Sequence, residues 1–198
     1  VHDLAVMVGL DVPKARLEKF SDKGSTFLVQ RFDRAGNKRL HFASAMTLLG
    51  KQDGDIGTSY LDLVGLIRSQ GACVDKDLLE LWKRVAFNML VSNNDDHLRN
   101  HGFLLERNGW HISPVFDINP VPYGDNLGLL VDETNSLISK DLLLSTVEYY
   151  GISVTKAKDM LTEMKTIIDR QWENKAKEYG IKRNSIEYME DAFVKCGN

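Results

Sequence analysis

Extended text near the start of the chain gives way, from His41 onward, to apolar positions spaced by three and four. Residues 2–9 predict the last turns of a helix closed by Gly9, and Pro13 blocks any continuation. Strands are expected over Ala15–Phe20 and Thr26–Phe32, joined by the turn-forming Ser21–Ser25, with a polar turn over Asp33–Asn37. Short helices follow over Phe42–Leu49 and Tyr60–Ser69, separated by a Gly50–Gly57 loop. Asp75 predicts the N-cap of a long helix running to about Val91. Its apolar residues, from Leu78 through Leu81, Trp82, Val85, Phe87 and Met89 to Leu90, cover more than one face, so this helix is expected at the centre. Trp82, Phe87 and Met89 are core residues in this reading.

A hairpin signal follows. Apolar Phe103–Leu105 and Trp110–Ile112 flank Asn108-Gly109, the dipeptide that best tolerates the positive φ angles of a type I′ turn. Pro120-Val121-Pro122 forbids regular helix. Leu127–Asp132 predicts a short strand, and Lys140–Tyr150 a helix closed by Gly151. Ser153 caps the longest helix, whose apolar positions step by three and four from Val154 to Tyr179 until Gly180 ends it. Lys and Glu between those positions form a solvated face, and a last helix is expected from about Ser185 to Val194.

Composition narrows the class. The 198 residues suit one compact domain, or one with an appendage, and 43% hydrophobic content supplies a core. A net charge of −3 and a pI near 6.0 leave no footprint for direct nucleic-acid binding. Cys73 and Cys196 are far apart, with no metal spacing, and are expected to be reduced thiols of a cytoplasmic protein. No apolar stretch approaches a membrane span and no signal peptide is visible, so no membrane contact is expected. Val1 opens directly into helical text, from which the chain is expected to be an excised piece of a longer protein.

The candidate chemistry lies in Asp95, Asn100 and Asp117. Asp95 and Asn100 are five apart, the offset between the base aspartate and the metal-binding asparagine of a protein-kinase catalytic loop. The hairpin between Asn100 and Asp117 is expected to return Asp117 beside Asn100. Phosphoryl transfer needs that grouping: one carboxylate to accept a hydroxyl proton, and an amide with a second carboxylate to hold Mg²⁺ on the phosphates. An Asn-Asn-Asp-Asp cluster alone is more often a solvated turn, but the offset, the hairpin and the acid behind an apolar strand end favour a site. Asp96 is one residue off the spacing, so Asp96→Asn is expected to harm phosphoryl transfer much less than Asp95→Asn. A zinc site from His97, His101 and Asp95 lacks a fourth ligand; His101 and His111 carry no expected role.

These segments resemble the HipA family, the serine/threonine-kinase toxins of bacterial HipBA toxin–antitoxin modules, over nearly the whole chain. Val29–Arg34 is similar to the family's hinge strand, Asn94–Asn100 to its catalytic loop (with Arg99-Asn100 where Lys-Asn is usual), and Ser113–Ile118 to its metal-binding segment. The resemblance implies a mainly α (α+β) fold, the large C-terminal lobe of a protein-kinase-like enzyme with a short β hinge and a catalytic-loop hairpin. Residues 1–39 would be the hinge and a remnant of the N-terminal lobe, and residues 40–198 the helical lobe. By the same resemblance Asp95 is the base, and Asn100 and Asp117 hold Mg²⁺. His97, Leu98, Arg99 and Phe116 line the ATP, whose phosphates His97 and Arg99 contact, and Gln30, Arg31 and Phe32 present the adenine contacts. A protein Ser/Thr hydroxyl as acceptor and a HipB-like DNA-binding antitoxin as partner are implied likewise. No phosphate-cradling glycine loop occurs in these residues; in the family it lies upstream of the hinge, so this chain alone is expected to turn over little or no ATP. The alternatives are a small-molecule phosphotransferase on the same lobe and a non-catalytic interaction module.

Overall fold

The structure, a computed structural model, describes residues 1–194. Helix α1 (His2–Met7) ends where Gly9, at φ 73°, turns the chain back so that Leu10 N–H donates to Ala5 O at 3.0 Å. Strands β1 (Ala15–Ser21) and β2 (Gly24–Val29) pair antiparallel, Ala15 opposite Val29. β2 stops three residues before the expected Phe32. Gln30 N–H still reaches Lys14 O at 2.8 Å, but Arg31 then turns its guanidinium onto Asp33 at 2.8 and 2.6 Å and the chain leaves the ladder. The expected polar turn is a minimal hairpin of β3 (Arg34–Ala35) and β4 (Lys38–Arg39), with Gly36 left-handed at φ 59°.

Phe42–Ser44 corrects the sequence reading. It is strand β5, not the start of a helix, and pairs antiparallel with β6 (Gly102–Glu106), Ser44 opposite Gly102. Local text could not show this, because the partner strand is distant in sequence. Helix α2 is confined to Ala45–Leu48, capped by Ser44 Oγ, which accepts from Thr47 N at 3.3 Å. Helix α3 (Tyr60–Gln70) opens on a reciprocal capping box of Ser59 and Asp62. Helix α4 (Val74–Leu90) starts before the expected cap: Cys73 is its N-cap, without a side-chain bond, and Asp75 sits in the first turn, where a carboxylate favours the helix dipole.

As expected, α4 is the centre of the core. Leu81, Trp82, Val85, Phe87 and Met89 are fully buried in one cluster with residues of α1, α3 and the later helices. The hairpin of β6 and β7 (Gly109–Ile112) forms, but one residue out of the expected turn: Glu106 pairs with Gly109, so Arg107-Asn108 makes the loop. Asn108 is not left-handed; the glycine serves another purpose. At φ 139°, Gly109 runs against the end of α3, where an added Cβ would collide with Gln70 O, and Ala72 N–H donates to Trp110 O at 2.7 Å.

Leu127–Asp132 is not a strand. One parallel bridge, Ser59 to Leu130, ties it to the start of α3. Helix α5 (Lys140–Ser145) passes into a 3-10 turn over Val147–Tyr150, and Gly151 at φ 69° ends it. Ser153 caps helix α6 (Val154–Glu178) as expected, and Ala157, Leu161, Met164 and Ile168 bury its inner face. The expected last helix is two, α7 (Arg183–Met189) and α8 (Asp191–Val194), broken at Glu190. Phe193 stacks on Trp172 at 4.6 Å, which docks α8 on α6. Cys73 is exposed, and Cys196 lies outside the described residues. Among the described residues no helix is long and apolar enough to cross a membrane.

Gly109→Ala should destabilise the fold by about 1–3 kcal/mol, through a strained φ and the collision with α3. Urea unfolding checks this; an unchanged midpoint would show that neither constraint acts.

Candidate active site

Helix α4 is buried on more than one face, yet Asp77, Glu80, Arg84 and Asn88 interrupt its apolar text at spacings of three and four, which places them on one stripe. A buried polar group is costly unless bonded; Asp77, Arg84 and Asn88 are each bonded to a segment of the candidate site, and Glu80 supports Arg84. Asp77 Oδ2 accepts from Ile112 N at 3.1 Å, and its Oδ1 lies 2.7 Å from His111 Nδ1, off the line of a good hydrogen bond. Arg84 donates from Nη2 to Ser113 O at 2.6 Å and from Nε to Glu80 at 3.0 Å. Glu80 also accepts from Asp11 N at 3.1 Å, and Asp11 O accepts from Val115 N at 2.8 Å. The stripe thus fixes Ile112 to Val115, immediately before Phe116 and Asp117.

Asn88, at the far end of the stripe, fixes the loop that follows α4. Its Nδ2 donates to Asp96 Oδ2 at 2.9 Å, and its Oδ1 accepts from Asn93 at 3.0 Å. Asp96 is 3% exposed, and the same Oδ2 accepts from the Tyr60 hydroxyl at 2.6 Å and lies 2.9 Å from His101 Nε2. Burial pushes the Asp96 carboxyl up, but His101, the Tyr60 hydroxyl and His97 outweigh it and hold it below its ordinary value. Burial first, and Asp96 second, push the Tyr60 phenol well above its usual range. Asp96 is therefore an internal anchor of the fold. The sequence signal was available in Asn88, a lone amide inside Val85-Ala-Phe-Asn-Met-Leu90, and in Tyr60 and His101, polar groups that need partners when buried.

Asp95, by contrast, is exposed. Asn100 is buried; its N–H donates to His97 O at 2.8 Å and its Nδ2 to Asp95 O at 3.4 Å, which leaves Oδ1 as the oxygen it can offer. The hairpin closes with Ser113 N donating to Gly102 O at 2.8 Å. Beyond it, Asn119 N donates to Asn93 Oδ1 at 3.3 Å and Val121 N to Ser92 O at 3.1 Å. Asp117 is thereby bracketed against the 92–100 loop. It is exposed, left-handed at φ 58°, and accepts from Asn119 Nδ2 at 2.9 Å. Ser92, at φ 49°, makes the matching sharp exit from α4. Non-glycine residues in this region are uncommon and gather where geometry is over-determined.

Of the remaining candidates, Phe32 and Phe116 stack at 5.7 Å, with Phe42 tilted against both, so the segment after β2 meets the residue beside Asp117. Gln30 is exposed, with its N–H already given to Lys14 O. Arg31 is held by Asp33, whose carboxyl that guanidinium brings to about 2. His97 is half-buried, with a buried Nδ1 that has no partner. Leu98 packs in the core, and its carbonyl accepts from Met46 N at 3.3 Å. Arg99 is exposed and paired with Asp53.

The donor set discriminates among metals. Among the described residues no three His, Cys, Asp or Glu side chains cluster to hold an ion, and His101 is committed to Asp96, so a zinc cage does not fit. An asparagine oxygen with one carboxylate fits Mg²⁺, which takes most of its shell from phosphates and water.

The described residues define the mixed α/β fold of known kinases. Over 98% of this chain the structure matches HipA of Shewanella oneidensis MR-1, solved with HipB and operator DNA, with a TM-score of 0.76, 18% identity and 53% of that chain covered. It also matches the Helicobacter pylori proinflammatory kinase CtkA, with a TM-score of 0.64, 13% identity and 79% of that chain covered. The model of the HipA-like C-terminal domain matches residues 1–172, and the chain belongs to that family. It is 32% identical over 137 residues to "Putative kinase Y4mE" of Sinorhizobium fredii (63% of this chain, 32% of that protein). It is 29% identical over 168 residues to a "Putative kinase" of Haemophilus influenzae (73% and 49%). The chain thus spans between a third and a half of the curated relatives it matches.

Asp96→Asn should cost about 3–5 kcal/mol at neutral pH, as for breaking a buried pair from one side. Because folding lowers this carboxyl, its stabilising share is present above the ordinary 3.8 and is lost as pH falls below it. The stability gap between wild type and variant should therefore narrow in acid, measured by urea unfolding across pH. A gap that stays constant from neutral pH to well below 3.8 would contradict the anchor.

Proposed function

We propose that this chain carries the base and the metal ligands of an ATP-dependent serine/threonine protein kinase of the HipA type. The observation that carries the reading is that one helix, α4, fixes both the loop bearing exposed Asp95 and buried Asn100 and the segment ending in Asp117. In this reading residues 1–39 form the hinge and the edge of the N-terminal lobe, and residues 40–198 the helical lobe. ATP lies along the Phe32–Phe116 edge, with the hinge main chain at the adenine.

The Asp95 carboxylate takes the proton of a protein Ser or Thr hydroxyl while that oxygen bonds to the γ-phosphorus and the bond to the β-phosphate oxygen breaks. Asn100 Oδ1 and the Asp117 carboxylate would hold Mg²⁺, which would supply positive charge against the transferring group. His97 and, once released from Asp53, Arg99 contact phosphate oxygens. A HipB-like DNA-binding antitoxin is proposed as partner on the strength of the Shewanella complex. The protein is proposed to act in the cytoplasm, without touching nucleic acid through this chain.

In the full-length protein, Asp95→Asn should keep ATP affinity and lower phosphoryl transfer to protein by on the order of 10²–10⁴-fold. Asp117→Asn should instead remove the Mg²⁺-dependent part of ATP affinity, because the amide keeps the shape and loses the charge. Radiolabel transfer and calorimetric titration with and without Mg²⁺ separate the two. Transfer that survives Asp95→Asn would sink the assignment.

A further inference from the structure

Asp95 and Asp96 are adjacent acids with opposite surroundings, one facing solvent and one sealed in the core. We propose that Asp96 is a positioning residue for phosphoryl transfer: its carboxylate, gripped by Tyr60, Asn88 and His101, fixes the main chain that carries Asp95 and Asn100. The inference rests on the kinase reading above.

The three partners come from separate elements. Tyr60 opens α3, Asn88 lies in the last turn of α4, and His101 immediately precedes β6. All three converge on one oxygen, and the Tyr60 and His101 rings meet edge-on at 5.8 Å and 88°. Charge-assisted bonds of this kind are roughly twice as strong as neutral ones and hold direction as well as distance. On the other side of the loop, Gly128 presses so closely that a Cβ there would collide with Asp96 O and stand 3.0 Å from Asn94 O. Asn94 Nδ2 donates to Tyr123 O at 2.6 Å. The loop is thus held from within by a side chain and from without by backbone.

Asp95 sits between these two grips and contributes its own carbonyl to Asn100 Nδ2. A loop fixed on both sides has one place for its exposed carboxylate. Release of the inner grip lets Asp95 drift from the acceptor hydroxyl, and a misplacement of about 1 Å can cost on the order of 10²-fold in rate. ATP binding does not require the base, so the loss falls on turnover.

The test uses Tyr60→Phe beside Asp96→Asn in the full-length protein, because the latter can fail to fold. Phenylalanine keeps the ring and removes the 2.6 Å bond, while Asn88 and His101 still hold Asp96. At a temperature where Tyr60→Phe is fully folded, kcat should fall about 10- to 100-fold with an unchanged KM for ATP. Amide hydrogen exchange should quicken over residues 93–100 and stay unchanged in α6. Wild-type kcat in the folded variant, or exchange raised evenly along the chain, would overturn the proposal. Failure of the kinase reading has a different signature: wild-type protein would show no Asp95-dependent transfer, whatever the exchange rates.

Discussion

The polar stripe along α4 ties the hairpin, the segment leading to Asp117 and the 92–100 loop to one rigid element. Arg84 is the most demanding member, a guanidinium only 1% exposed. A charge in that position is tolerated when its donors are used, and Glu80 and the Ser113 carbonyl use two of them. The same bonds that offset desolvation also dictate where the return strand of the hairpin must lie. With Asp77 at Ile112 and Asn88 at Asp96, the helix reads out as a ruler: its pitch sets the spacing between two segments that are far apart in sequence. Around it, the fully buried Trp82, Phe87 and Met89 leave little freedom for the helix to shift.

That constraint divides labour between neighbouring carboxylates by environment alone. Asp96 is enclosed by donors and held below its ordinary value. Asp95 remains exposed to solvent. Ser92 and Asp117, the two left-handed non-glycine residues among the described residues, mark points where the chain bends sharply around this loop. The stacked Phe32 and Phe116 join the segment after β2 to the residue beside Asp117.

What the sequence made legible follows from what is local. The hairpin between Asn100 and Asp117, the cap at Ser153 and the centrality of α4 all depend on short-range spacing, and each is present; the candidate site is legible as the offset of five between Asp95 and Asn100. Strand β5 was invisible because Phe42–Ser44 gains its ladder from β6, far along the chain, while the adjoining text is helical. The turn register slipped by one because Gly109 was credited to a type I′ turn, whereas it is required by the close approach of β7 to α3. Leu127–Asp132 has strand-forming residues but only a single bridge, since its backbone serves Thr58 and Tyr60 at the start of α3. Asp96 escaped notice because a buried network draws its members from distant elements, and only the cost of an unpaired Asn88 or Tyr60 hints at it.

The central claim is that α4 brings Asn100 and Asp117 to one metal on the nucleotide. Substituting Mn²⁺ for Mg²⁺ in the ATP complex of the full-length protein, and reading paramagnetic broadening residue by residue, tests it directly. The account predicts the strongest broadening at Asn100 and Asp117, appearing only when ATP is present. Broadening centred on other acids, or independent of ATP, would contradict it.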